Sequence, residues 1–444
     1  MKRKILLINA PSSRKEFISV LPPLGVLSLA AFLKRAGIKA AVADFNADRR
    51  WRENLHTIMR RERPDVVGIS SNFSNLRETL EIAGSVKSFS SAVSVVAGGP
   101  HPSIAPEEYS SDFIDYIIPY EAELPLLDFF SSSDSSEVAQ AISARRTDLH
   151  TAVANVKRNP VEDLDSLPFP AYDMVDLKRY VGSIYKSRPL ASIVTSRGCP
   201  YKCIFCSQAV FERRWRAFSA DYVVEQMRWM TADLGIKEIL IEDDNFTYDT
   251  GRVFKICELI LAKGIKIRWQ LSNGVRADKL NKDLLRLMKR AGCWKISIAP
   301  EVGDEESLKA LCKGMDMEHF IRAAEWCKEL KIEFFCFFLM GFPFQTEKNM
   351  ENTIRFALRL DPLMIDLNKI VPFPGTAYFS KFPDRKIYRG SRSYLYKGRD
   401  RLVDSMCTKA YLRFYARPVK LLRIFLAMGP AQFINFIKYA IRVL

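Results

Sequence analysis

The sequence predicts an α/β protein: a doubly wound, Rossmann- or flavodoxin-like sheet, a second series of strand–helix units, and a basic helical segment. Three observations carry this. Short apolar runs alternate with amphipathic stretches of helical period up to about residue 130, and again from about 189 to 380. A stretch marked by serine and proline separates the two series. The charge is also lopsided: residues 381–444 hold 15 Lys or Arg against three Asp, a net +12 of the chain's +16. A chain of 444 residues, 48% of them apolar, has room for two or three domains.

In the first domain, 1–130, strands are expected at 5–9, 40–44, 66–70, 93–97 and 116–118. Helices are expected at 24–35, 51–61 and 76–89. Near-continuous apolar runs suit strands covered on both faces. The opening Met-Lys-Arg-Lys-Ile-Leu-Leu-Ile is too short an apolar run for an export signal and reads as the first strand. Open parallel sheets bind ligands at the carboxyl ends of their strands. Those ends carry Asn9-Ala-Pro-Ser, Ser70-Ser71-Asn72 and Gly98-Gly99-Pro100-His101. Ser70, Ser71, Gly98, Gly99 and His101 are therefore binding candidates, the glycines because backbone can approach a ligand closely there.

Residues 131–188 read as a linker. Ser131-Ser-Ser-Asp-Ser-Ser136 is polar, and the prolines of Asn159-Pro-Val-Glu-Asp-Leu-Asp-Ser-Leu-Pro-Phe-Pro170 set an extended path without secondary structure. The second domain, 189–380, has strand candidates at 191–196, 238–242, 267–272, 295–299, 334–340 and 364–371. In 381–444, helices are expected at 418–428 and 433–444, broken by Gly429-Pro430.

The most informative stretch is Arg197-Gly-Cys-Pro-Tyr-Lys-Cys-Ile-Phe-Cys206. Cys199, Cys203 and Cys206 can each hold one iron of a cubane and leave the fourth without a protein ligand. A structural zinc ion or closed cluster would need a fourth ligand nearby. The next cysteine, Cys257, lies in a distant helical pattern, and no histidine is near. Six further cysteines stand singly among apolar residues, which suits a reducing cytosol.

This loop, with Phe205 before its third cysteine, resembles the signature of the radical S-adenosylmethionine superfamily. The resemblance implies a [4Fe–4S] cluster on Cys199, Cys203 and Cys206, with S-adenosylmethionine bound to the open iron and cleaved to a 5′-deoxyadenosyl radical. It also implies a partial (β/α)6 TIM-type barrel, with chemistry at the strands' carboxyl ends. Polar residues gather there: Glu242-Asp243-Asp244-Asn245, then Asn273 and Arg276, then Glu301-Val-Gly303 and Gly341-Phe-Pro-Phe-Gln-Thr346. By resemblance, Glu242, Asp243 and Asp244 would hold the amino group of S-adenosylmethionine and Glu301 its ribose. Pro300 and Gln345 depart from the family's glycine and glutamate.

Residues 1–130 resemble the cobalamin-binding domain that precedes the radical domain in one large subfamily. The matching stretches are Leu21-Pro-Pro-Leu-Gly25, Pro64-Asp-Val-Val-Gly-Ile-Ser70 and Gly98-Gly-Pro-His101 followed by Pro106-Glu107. The Asp-x-His-x-x-Gly motif is absent, so cobalamin is expected without a histidine of this chain on cobalt. A flavodoxin-like domain without cobalamin is the alternative, and His101 is either a ligand contact or a turn residue.

Together these imply a cobalamin-dependent radical enzyme that methylates an unactivated carbon of a small-molecule or lipid-like substrate. Electrons would come from a donor such as a flavodoxin or ferredoxin. The alternatives are ring formation, oxidative cyclisation or carbon–carbon coupling, and a non-enzymatic cobalamin sensor. A tRNA methylthiotransferase-like enzyme needs a second cysteine triad, but no cysteine precedes Cys199, so nucleic acid is not an expected partner. No residue is singled out as catalytic. The basic tail leaves three readings open: helices capping the barrel, peripheral attachment of a cytoplasmic protein to an anionic inner membrane face, and, least favoured, nucleic-acid binding. No apolar run reaches the roughly 18 residues of a membrane span.

Overall fold

The computed structural model describes residues 4–12, 20–132, 141–182, 184–208, 210–381 and 400–443. The chain forms two compact units: 1–182 with 209–212, and 183–208 with 213–444.

In the first unit, β1 (Lys4–Asn9), α1 (Leu24–Arg35), β2 (Lys39–Asp44), α2 (Trp51–Glu62), β3 (Val66–Ser70), α3 (Leu76–Phe89), β4 (Ser94–Gly98), β5 (Tyr116–Ile118) and α4 (Glu123–Ser131) alternate along the chain. The strands pair in parallel in the order β2-β1-β3-β4-β5. One core lies between sheet and helices, with Leu6, Ile8, Val67, Ile69 and Val95 meeting Leu55, Met59, Ile82 and Val86. The order reverses between β1 and β3, so the crevice for a ligand lies at the carboxyl ends of those strands.

The stretch expected as an extended connector is built into this unit. β6 (Ile142–Ser143) adds an antiparallel edge beside β5, and α5 (Leu149–Ala154) follows. Leu164, Tyr172 and Tyr180 are all buried, and the Tyr180 hydroxyl donates to Asp44 Oδ2 at 2.9 Å. These large apolar anchors between the prolines fix the path onto the domain, where composition alone suggested a free linker. Residues 133–140 of the serine-rich run lie outside the described residues.

The second unit opens with β7 (Leu190–Ile193), then a two-stranded ribbon of β8 (Ser196–Arg197) and β9 (Arg216–Ala217). There follow α6 (Ala220–Ala232), β10 (Glu238–Ile241), α7 (Thr250–Ala262), β11 (Arg268–Val275), α8 (Lys282–Arg290), β12 (Cys293–Glu301), α9 (Glu305–Ala310), α10 (Met317–Glu329), β13 (Glu333–Met340), α11 (Glu347–Leu360), β14 (Met364–Lys369) and α12 (Ala377–Lys381). The six main strands pair in parallel in chain order, β7-β10-β11-β12-β13-β14, giving the open six-stranded arrangement of a partial barrel. Sequence sets the helix starts. Ser219, Asp249, Asn281, Asp304, Asp316 and Thr346 each accept a backbone N–H of the helix they precede, and Thr346 forms a reciprocal capping box with Asn349.

Three helices finish the chain: α13 (Asp400–Tyr415), α14 (Pro418–Met428) and α15 (Pro430–Val443). α13, which the sequence reading missed, covers the edge of the sheet. Tyr411 and Tyr415, one turn apart, each use a hydroxyl to satisfy both backbone groups of one residue of β14. Tyr415 pairs with Ile365 at 3.0 and 2.9 Å, and Tyr411 with Leu367 at 3.2 and 3.0 Å. An open edge would otherwise invite pairing with another chain.

The cations of α14 and that of Arg417, which caps its start, point inward. Arg417, Lys420 and Arg423 converge on Asp361 at 2.9, 2.7 and 3.6 Å, and Arg423 also reaches Glu333 at 3.0 Å. Lys420 is buried. The helix therefore caps the barrel with its basic face, while Val419 (80% exposed), Leu422 (58%) and Leu426 (70%) line its outer face. Charge was expected outside and is found inside, because acids at the end of α11 and the start of β13 receive it. Residues 382–399 lie outside the described residues, and no described helix is long and apolar enough to cross a membrane.

Candidate active site

The cysteine loop, residues 198–208, follows β8 past the end of β7. Gly198 takes a left-handed φ of 84° and donates its N–H to Asp244 Oδ2 at 3.1 Å. Farther along, Ile204 N–H donates to the Leu311 carbonyl at 3.2 Å, and the Ile204 carbonyl accepts from Tyr378 N–H at 2.8 Å. Gly198 and Ile204 thus tie the loop down through their own backbone groups, in contacts that do not involve sulfur.

Cys199, Cys203 and Cys206 are all half-buried on this loop, whereas Cys257, Cys293, Cys327, Cys336 and Cys407 are buried singly. Amide donors face the sulfurs. Asn245 Nδ2 lies 3.7 Å from Cys199 Sγ, and Gln208 Nε2 lies 3.5 Å from Cys206 Sγ. Gln208 also accepts from Cys199 N–H through Oε1 at 3.2 Å, bracing the first cysteine against the third.

Burial pushes all three thiols up, Cys206 to about 11, so ligation by metal must displace their protons. Among the described residues no trio of Cys, His, Asp or Glu closes to the spacing of a single ion. Asn245 Oδ1, beside Cys199, is buried with no hydrogen-bond partner. Three thiols, amide donors and an orphaned polar atom fit a cluster with an accessible fourth iron.

The three consecutive acids after β10 separate in role. Asp243 is buried and accepts from Thr195 N–H (2.5 Å), Thr195 Oγ1 (2.6 Å) and Ser196 Oγ (2.5 Å), stapling β10 to the β7–β8 turn. Its oxygens are occupied, so the geometry does not place it as a contact for an amino group. Glu242 is pushed up by burial, with the Lys295 ammonium the cation that opposes this. Asp244 alone is exposed at the cysteine loop, and its charge acts on Cys199 and Cys206.

Asn273 braces this turn through Nδ2 to the carbonyls of Glu242 (2.9 Å) and Asp243 (3.2 Å). Arg276 is buried, paired with Asp278 through two 2.9 Å contacts, and its guanidinium lies 3.6 Å from the Tyr201 ring centroid. Glu301 follows a register shift between β12 and β13 and has φ 68°, a backbone region non-glycine residues rarely adopt. Bulge and φ together re-aim its carboxylate, which accepts from Lys313 Nζ at 2.7 Å.

In the first unit, Ser70 ends β3 and Ser71 is buried in a chain of hydroxyls. Its Oγ lies 2.7 Å from the Tyr109 hydroxyl and donates to Asn75 Oδ1 at 3.0 Å. Gly99 has φ 111°, and a Cβ there would lie 2.5 Å from the Ser71 carbonyl oxygen, so only glycine lets the β4 loop close on the end of β3. His101 is 1% exposed, with Nδ1 2.9 Å from the Tyr109 hydroxyl. Burial lowers it to about 4, so the imidazole stays neutral and interior.

The structure therefore gathers Cys199, Cys203, Cys206, Asp244, Arg276 and Glu301 around one loop, with Asp243 and Asn273 as braces. Sequence reasoning missed Gln208, Asn245 as a donor, and Lys313. Gln208 lies two residues past the third cysteine and was findable by position. Nothing in the sequence marks Lys313.

Residues 193–357 match the family model of the radical SAM superfamily, and residues 15–130 match that of the B12 binding domain. An uncharacterized methyltransferase of Pyrococcus horikoshii is 29% identical over 437 residues, covering 95% of this chain and 94% of the relative. An anaerobic magnesium-protoporphyrin IX monomethyl ester cyclase of Cereibacter sphaeroides is 25% identical over 85% of this chain, which spans 63% of that relative. Among solved structures, the radical S-adenosylmethionine methyltransferase TsrM from Kitasatospora setae, with cobalamin and [4Fe–4S] cluster bound, superposes with a TM-score of 0.68. It is 18% identical, covering 85% of this chain and 77% of TsrM, a likeness of fold.

Proposed function

This chain is a radical SAM superfamily enzyme with a B12-binding domain, its cofactors a [4Fe–4S] cluster, S-adenosylmethionine and cobalamin, and from that premise we propose that it transfers a methyl group to an unactivated carbon of a small, largely apolar substrate. The observation that carries this is the union, in one chain, of a B12-binding domain with a loop of three half-buried cysteines faced by amide donors. The near full-length similarity to a methyltransferase supports it.

When bound, the cofactors supply hydrogen abstraction and the methyl group. The chain's part is to position and enclose them. Cys199, Cys203 and Cys206 would hold the cluster, with Asn245 and Gln208 donating toward sulfur. Asp244 would accept from the ammonium of S-adenosylmethionine and Glu301 from its ribose hydroxyls, since anionic acceptors suit both. Arg276 fixes Tyr201 and hence the loop. Aromatic side chains beside the loop, Phe205 against Phe342 and Tyr248 against Trp215, restrict water. The electron donor would be a small low-potential protein of flavodoxin or ferredoxin type. The apolar outer face of α14 supports attachment to a lipid surface, which favours a lipid-like substrate.

Ring formation is the second reading, favoured by the similarity to the cyclase. Cells expressing the chain, fed methionine bearing a trideuterated methyl group, separate the two. Methyl transfer yields a metabolite that gains three deuterons on a new carbon–methyl bond, absent from cells carrying the alanine variant of the three cysteines. A product that loses hydrogen and gains no labelled methyl would establish the second reading instead.

A further inference from the structure

One short loop, residues 311–316, touches the cysteine loop, Arg276 and Glu301. The Leu311 carbonyl holds Ile204 of the cysteine loop. The carbonyls of Lys313 and Gly314 accept from Arg276 at 2.7 and 3.1 Å, and Gly314 turns the chain with φ 65°. Lys313 then points back into the site. Its Nζ donates to Glu301 Oε1 at 2.7 Å and to the Ala299 carbonyl, and both side chains of the pair are buried. Lys313 and Glu301 act on Cys203 with opposite sign. An ammonium this enclosed, spanning the bulged end of β12 and the cysteine loop, does more than solvate a surface, and the sequence resemblance gives it no role.

We infer that Lys313 is a positioning residue for S-adenosylmethionine, aiming the Glu301 carboxylate at the nucleoside and setting the charge felt by the cluster at Cys203. The inference rests on Glu301 being the ribose acceptor of the proposed function. Two consequences follow. First, Lys313 fixes the direction of the Glu301 carboxylate, so without that contact Glu301 no longer faces the nucleoside. Second, a cation beside a thiolate ligand stabilises the reduced, more negative cluster, so its removal lowers the reduction potential, while removal of the anion raises it.

The test uses the anaerobically reconstituted holoprotein and three variants, Lys313→Met, Lys313→Arg and Glu301→Gln. Equilibrium dialysis reads the affinity for S-adenosylmethionine, and a redox titration followed by electron paramagnetic resonance reads the cluster potential without it. Lys313→Met is expected to weaken binding about tenfold, the loss of one charge-assisted contact, and to lower the potential. Glu301→Gln should weaken binding and raise the potential, and Lys313→Arg should keep both near wild type. A merely structural lysine would shift the potential in one direction for both neutral variants, or not at all, and that result overturns the inference. So does normal binding by Lys313→Met when Glu301→Gln binds poorly. If Glu301→Gln itself binds normally, the ribose assignment fails and the inference falls with it, an outcome told apart by that variant alone. Should Lys313→Met take up no iron, Lys313→Arg and Glu301→Gln still decide: the first must preserve potential and affinity, and the second must raise the potential.

Discussion

Replacing Cys199, Cys203 and Cys206 together by alanine is expected to give a folded chain with no iron–sulfur cluster. Each half-buried thiol has no substitute, because the other cysteines among the described residues are buried singly in helices and strands or, like Cys312, stand alone in a loop. The fold should survive the change. Gly198, Ile204 and Tyr378 fix the loop through backbone contacts that do not depend on sulfur, and Asp243 staples the neighbouring turn on its own. Iron and sulfide analysis, with the visible absorption of the reconstituted protein, checks this: both should fall to background while the thermal transition stays near wild type. A full complement of iron and sulfide in the variant would place the cluster elsewhere.

The second large effect concerns the outer face of α14. Val419, Leu422 and Leu426 are 80, 58 and 70% exposed and lie on one side of the helix. Burying three such side chains in a bilayer surface contributes on the order of 1 kcal/mol each after allowing for partial exposure, about 3 kcal/mol together, or roughly a hundredfold in binding. Because Arg417, Lys420 and Arg423 are paired with Asp361 and Glu333, this attraction should resist salt, unlike one driven by basic residues at headgroups. In flotation with phosphatidylglycerol vesicles, the wild-type chain should rise at both low and high salt. The variant carrying Val419→Ser, Leu422→Ser and Leu426→Ser should stay below. A wild-type chain that remains at the bottom removes the lipid surface from the account, and with it the preference for a lipid-like substrate.

The parts of the fold legible in sequence are those whose cause is local. Parallel strands covered on both faces read as apolar runs, so β3 and β5 fall at the expected residues and β1 begins one residue early. Helix starts carry their own caps, and Pro418 and Gly429 bound α14 as their backbone preferences require.

What was not legible depends on partners far away in the chain. Glu242, Asp243 and Asp244 look alike in sequence, and only the fold turns one into a staple and leaves another at the cysteine loop. A count of basic residues gives the sign of the tail's charge but not its direction, which Asp361 and Glu333 decide. α13 had a readable stripe of Val403, Met406, Cys407, Ala410 and Phe414, all buried. Its purpose was hidden, since the hydroxyls of Tyr411 and Tyr415 have meaning only beside the unpaired edge of β14. The pairing of Lys313 with Glu301 needed the β12 bulge, which no local pattern announces.

The central claim is that three cysteines hold a cluster whose fourth iron is free to take S-adenosylmethionine. Electron–nuclear double resonance on the reduced, reconstituted enzyme, with S-adenosylmethionine labelled with nitrogen-15 at its amino group, tests this directly. The account predicts a nitrogen-15 coupling to the cluster that appears on addition of the labelled molecule and is lost in the variant without the three cysteines. An intact reduced cluster whose spectrum shows no such coupling at saturating S-adenosylmethionine would contradict it.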